Sequence, residues 1–147
     1  MFKHILLPID GSELSLMATR RAAEFASEIK ASITLMFVKP EYPVSYYGDG
    51  ALIDPTTPEE FGKLTKTIAE RNLKDAADIC TAAGISFTTH TETSDIPYEA
   101  IIQTAEDKKC DLIFMASHGR RGITSLLLGS ETQKVLTHSK IPVLVYR

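Results

Sequence analysis

An excess of positive charge, paired cysteines and long apolar runs are all missing from this sequence. Sixteen Lys and Arg against nineteen Asp and Glu leave a net charge of -3. That balance excludes the basic surface of a nucleic-acid binder, so an anionic ligand would have to be captured by local geometry. Only Cys80 and Cys110 carry thiols, a whole segment apart and in no C-x-x-C arrangement. They read as two buried thiols in a reducing compartment. The opening stretch, MFKHILLPIDGS, has too short an apolar run for a signal peptide or a membrane span. The expectation is a cytoplasmic protein without membrane insertion.

Catalytic and metal signatures are missing too. There is no G-x-x-x-x-G-K-[ST], no G-x-G-x-x-G after the first strand, no G-x-S-x-G and no H-E-x-x-H. His4, His90, His118 and His138 are scattered without metal-ligand spacing, and two distant cysteines do not complete a zinc site. No catalytic residue and no metal ligand is assigned.

What is present is an alternation of strand and helix signals. Strands are expected at His4–Ile9, Ser32–Val38, Ile85–Glu92, Asp111–Ala116 and Ile141–Tyr146. HILLPI, LIFMA and IPVLVY are nearly continuous apolar runs, as central parallel strands require, whereas ISFTTHTE alternates like an edge strand. Ser12 is placed to cap a helix over Glu13–Ile29, with Leu16, Ala23 and Phe25 to Ile29 on its apolar side. Thr57-Pro58-Glu59-Glu60 is a strong helix start, and that helix should run to about Ala83 and stop at Gly84. Pro97 opens a third helix ending at Lys108-Lys109, and Ser130–Thr137 suits a fourth. The order β-α-β-α-β-α-β-α-β argues for one α/β domain over residues 1–147, built on a parallel sheet. Residues 39–57, rich in Pro, Gly and Tyr, are long for a connection; a lid, a partner contact and a merely floppy insertion are open readings, and no role is assigned.

Ligands of open α/β sheets sit beyond the carboxyl ends of the strands, where the strand order reverses. Two such ends carry suitable residues. Pro8-Ile9-Asp10 follows the first strand, and Asp10 can accept hydrogen bonds from a base or sugar. MASHGRRGITSLLLGS follows the fourth. There Gly119 permits close backbone approach and conformations closed to other residues. Gly129 and Ser130 stand where a helix N-terminus favours an anion. Ser130 and Thr132 offer hydroxyl donors, and Arg120 and Arg121 offer charge. His118 reads as a loop residue that shapes the site. An ordinary capped turn explains each loop separately; their combination favours a phosphate cradle.

With HILLPIDGS, CDLIFMASHGRRGITSLLLGS and IPVLVYR in place, the chain resembles the universal stress proteins along essentially its whole length. Nucleotide-binding members share G-x-x-G-x9-G-[ST]. Here it reads Ala116-Ser117-His118-Gly119, nine residues, then Gly129-Ser130, with alanine at the first glycine. The resemblance implies a three-layer α/β/α, Rossmann-like fold with a five-stranded parallel sheet in the order 3-2-1-4-5. It also implies ATP, or ADP or AMP, with Mg2+. Pro8, Ile9 and Asp10 would meet ribose and adenine, and Val38 would meet adenine through its backbone. Met115 and Ala116 would lie along the ribose. Gly119, Gly129, Ser130, Glu131 and Thr132 would hold phosphates, the last three through helix N-terminal amides or hydroxyls. A homodimer through strand 141–146 and a regulatory role in stress response follow from the same resemblance. If position 116 needs only a small side chain at a strand end, the pocket is intact; if it needs glycine, the pocket narrows and a dimeric interaction protein without nucleotide results. Slow ATP hydrolysis is the other alternative. A second departure, serine at position 94 in SDIPYEAI, is given little functional weight.

Overall fold

HILLPI and LIFMA lie in the middle of one parallel sheet covered by helices on both faces, whereas IPVLVY, whose apolar run suggested a central strand, lies half-buried at the sheet's edge. The computed structural model describes residues 1–43, 46–47, 51–52, 56–119 and 128–147. Its strands are β1 His4–Pro8, β2 Ser32–Lys39, β3 Tyr46–Tyr47, β4 Ala51–Leu52, β5 Phe87–Thr93, β6 Leu112–Ala116 and β7 Val143–Tyr146. The main sheet runs β5-β2-β1-β6-β7, all parallel, which is 3-2-1-4-5 when only its own strands are counted. Ile5 pairs with Ile33 on one side and Leu112 on the other, so β1 is central. The Thr-rich β5 lies at the edge that its alternating pattern implied.

Helices α1 Glu13–Ile29 and α2 Pro58–Ala82 cover one face; α3 Pro97–Asp107 and α4 Ser130–His138 cover the other. Period-two alternation divides the strand residues between two cores. Ile5, Leu7, Ile33, Leu35, Leu112 and Phe114 pack toward α1 and α2. Leu6, Met36, Ile113 and Met115 pack toward α3 and α4. The Ser12 hydroxyl accepts from Ser15 N, and Thr57 and Glu60 form a reciprocal capping box. Gly84, at φ 68°, ends α2.

Some boundaries and faces differ from the sequence reading. Helix α1 buries Ser15, Ala18, Ala22 and Ala26, whereas Leu16 and Phe25 are only half-buried. Small side chains permit close approach of helix to sheet, so bulk alone did not mark the inner face. β7 starts at Val143 because the Ser139 hydroxyl engages Ile141 N and O in a turn before it. Within residues 39–57 a short antiparallel pair, β3 with β4, stands where no strand was anticipated. The Tyr42 hydroxyl donates to Thr56 O, and its ring meets Phe61 edge-on at 5.5 Å. Among the described residues no helix is long and apolar enough to cross a membrane.

Both cysteines are buried, Cys80 on α2 and Cys110 before β6. Burial pushes each thiol up to about 11. The folded state therefore keeps protons that the unfolded chain releases near pH 8.5. This contribution is complete below about pH 8.5 and is lost as pH rises through about 11. A thiol reagent is expected to label neither residue in native protein at neutral pH and both after denaturation. Rapid native labelling would contradict this burial.

Candidate functional site

The carboxyl ends of β2, β1 and β6 lie side by side, and β1 is where the chain order reverses. Just beyond them opens a cleft of about 620 Å³. It is lined by every site residue named from the sequence that falls among the described residues: Pro8, Ile9, Asp10, Val38, Met115, Ala116, His118, Gly119, Gly129, Ser130, Glu131 and Thr132. Arg120 and Arg121 lie outside the described residues. Two loops more than a hundred residues apart thus border one cleft, because β1 and β6 are hydrogen-bonded neighbours.

The first loop is held by its own polar groups. Asp10 Oδ1 accepts from Ser12 N at 2.9 Å, and Asp10 N donates to the buried Ser15 hydroxyl at 3.2 Å. Gly11 turns the chain at φ 78°. Beside it, a Cβ added at Gly119 would collide with Asp10 Oδ2. Gly119 is not in the left-handed region, contrary to the conformational freedom assigned to it. Its contribution is room for the Asp10 carboxylate.

The second wall is the β6–α4 connection. Ser117 N donates to Tyr146 O, and Ser117 O accepts from Gly129 N at 2.7 Å. This bond draws Gly129 against His118, so a Cβ there would sit 3.0 Å from His118 Cα and 3.3 Å from Ser117 O. Gly129 is the N-cap of α4, without a side-chain cap, and Ser130 is the first helical residue. The first-turn amides therefore receive no capping oxygen from position 129, which suits an anion. His118 Nδ1 lies 3.0 Å from the Ser117 hydroxyl.

One assignment changes in this wall. The buried Thr132 hydroxyl donates to Ala116 O at 3.0 Å, so it is not a donor to phosphate, although its amide still belongs to the first turn of α4. The Glu131 carboxylate turns away to α3, accepting from Tyr98 N at 2.9 Å and from Lys134 Nζ at 3.0 Å. It thereby supplies the negative charge that the N-terminus of α3 favours, since Ile96 provides no cap there.

The sequence reading missed several lining residues: Ser15, Phe37, Pro40, Asp95, Pro97 and Ile101. Asp95 and Pro97 come from SDIP, the connection given little weight. It joins the site because β5 is paired to β2 and Ser94 N bonds Lys39 O, while Asp95 Oδ1 accepts from Glu41 N. A third loop at a strand's carboxyl end was the available signal. The described lining contains the acidic residues Asp10, Asp95 and Glu131, the last with its carboxylate turned to α3, and no Lys or Arg. Among the described residues, the groups that can offset a polyanion here are the backbone amides of the α4 start, to which a bound cation would add.

The family model described as the universal stress protein family matches residues 1–147. The chain belongs to the universal stress protein family. A universal stress protein from Thermus aquaticus is 36% identical over 148 residues, covering 100% of both chains. The solved structure of MJ0577, a universal stress protein of Methanocaldococcus jannaschii, matches 99% of this chain and 95% of its own, with 28% identity and TM-score 0.76. A universal stress protein family protein from Arabidopsis thaliana, solved with AMP bound, matches 97% of this chain and 90% of its own at 19% identity and TM-score 0.67. Against the family motif, Ala116 occupies the extended end of β6, and the left-handed non-glycine residues among those described are Lys30 and Lys109. Position 116 therefore makes no conformational demand for glycine.

Proposed function

We propose that this universal stress protein binds an adenine nucleotide in the cleft and acts as a nucleotide-dependent regulatory homodimer in the cytoplasm during stress. The observation that carries the reading is the convergence of the Asp10 turn, the end of β2 and the uncapped start of α4 on one cleft. Its volume lies within the range of small-molecule sites. From β2 to β6 is two strand spacings, roughly 10 Å, which suits a base near Val38 and phosphates near α4. Ile9, Val38 and Met115 offer apolar surface to adenine, and Asp10 offers an acceptor to base or ribose.

Gly119, Gly129 and the amides of Ser130, Glu131 and Thr132 are the groups we assign to the phosphates. A triphosphate beside Asp10 and Asp95 would need a cation to offset its charge, and Mg2+ supplies it. Nucleotides bound to family members of the same fold, such as AMP in the Arabidopsis protein, support the ligand class. Pairing of β7 with its copy would cover the open edge of Val143–Tyr146 and form the dimer.

The test is the nucleotide content of gently purified protein, followed by titration with ATP and Mg2+, then AMP. Expected is co-purifying nucleotide or saturable binding near 1 μM, equivalent to about 8 kcal/mol. No binding at millimolar ATP or AMP would overturn the reading.

A further inference from the structure

We propose that the outer edge of β5 and the acidic flank of α3 form a docking site for a basic, extended polypeptide segment, which joins the sheet as a sixth strand. Among the described residues β5 pairs only with β2. Two bonds at its ends fix which backbone groups point outward. Ile33 N donates to Ser86 O, and Ser94 N donates to Lys39 O. Even-numbered residues between them therefore face β2, and the N–H and C=O groups of Phe87, Thr89, Thr91 and Thr93 face away from the sheet. Edges of this kind are commonly guarded by lysine, proline or a bulge. β5, FTTHTET, holds neither lysine nor proline and pairs without interruption through Thr93.

Beside this edge lies a groove of about 490 Å³ between β5 and α3, lined by His90, Glu92, Glu99, Gln103, Asp107 and Lys108 among others. Three carboxylates face one lysine and one histidine. Glu92 Oε2 lies 3.3 Å from His90 Nε2, within hydrogen-bond reach. Glu99 accepts from the Tyr98 hydroxyl and Asp107 from the Gln103 amide, neutral donors that leave both charges in place. Charge complementarity therefore favours a cationic occupant.

The spacing agrees. Glu99, Gln103 and Asp107 recur every fourth residue along α3, about 6 Å per step. Alternate residues of an added strand recur about every 6.7 Å. Basic side chains at positions i and i+4 of that strand would then meet Glu99 and Asp107, while its backbone bonds the outward groups of β5. This site is on the other side of β2 from the nucleotide cleft's centre and does not depend on nucleotide binding.

The experiment titrates full-length protein with a synthetic peptide of roughly ten residues alternating Lys and Thr, and with its Glu-for-Lys counterpart. Amide hydrogen exchange is read along β5. Expected is saturable binding of the Lys peptide alone, with new protection at Phe87, Thr89, Thr91 and Thr93. The double variant Glu99→Lys/Asp107→Lys should weaken it about tenfold or more. Thr91→Pro should abolish it with the fold retained, because the Thr91 N–H lies outside the β2 ladder. Binding without amide protection, or equal binding of the Glu peptide, would overturn the proposal. So would sedimentation showing this edge closed by a second copy that Thr91→Pro disperses.

Discussion

Replacing Gly129 by valine is expected to leave the domain folded and to remove its stabilisation by adenine nucleotide. In the unsubstituted protein, ligand at a hundred times its dissociation constant adds about 2.7 kcal/mol, or about 5–10 °C in Tm for a chain of this size. A Cβ at position 129 already sits 3.0 Å from His118 Cα and 3.2 Å from His118 Cβ. The added methyl groups must push α4 away from β6 or turn into the space in front of the helix amides. Either movement spoils the anion cradle, since Gly129 N is bonded to Ser117 O at 2.7 Å and positions the first turn. Overpacking alone should cost about 1–3 kcal/mol of unliganded stability. Melting with and without ATP–Mg2+ separates the two effects. A folded Gly129→Val variant that keeps the full ligand-induced shift would place the phosphates elsewhere.

The second large effect is at Gly11. Gly11→Ala is expected to destabilise the unliganded protein by about 2–4 kcal/mol, a fall of roughly 5–15 °C in Tm. Two causes combine. The backbone is held at φ 78°, where a Cβ is strained, and that Cβ would lie 2.6 Å from Asn72 Cγ. Asn72 is buried on α2, so it has little room to withdraw. Gly84 provides the comparison. Its φ is 68° but nothing lies within 4 Å of an added Cβ, so Gly84→Ala should cost only the strain, about 1 kcal/mol. Combining Gly11→Ala with Asn72→Ala should recover the collision part. Asn72 Nδ2 has no hydrogen-bond partner among the described residues, so removing it sacrifices no bond of that atom. Equal losses for Gly11→Ala and Gly84→Ala, measured by chemical denaturation, would show that Asn72 does not confine the turn.

Much of the architecture was legible along the chain because its determinants are local. The apolar runs of β1, β6 and β7, the Ser12 cap and the Thr57 capping box act within a few residues of themselves, and each forms where its chemistry places it. Strand order is not local. It entered through the likeness to a family, and it is what makes the Asp10 turn and the Gly119 loop neighbours.

The finer chemistry of the cleft was legible in part only. Asp10, Gly119 and Gly129 are residue types that mark a close backbone approach, so their pattern pointed to one place. Whether a hydroxyl faces a ligand or a carbonyl depends on what packs behind it. Thr132 turned to Ala116 O, and Glu131 to the start of α3, because α4 lies against both β6 and α3. Asp95 reached the cleft through the pairing of β5 with β2, a contact across more than fifty residues. By itself the sequence determined the strands of the main sheet, the four helices and which loops carry glycine and acid, since these follow from short-range sterics and periodic burial. Tertiary structure alone decided which polar groups are consumed within the fold and which are left at its surface, because hydrogen-bond partners are allotted by packing.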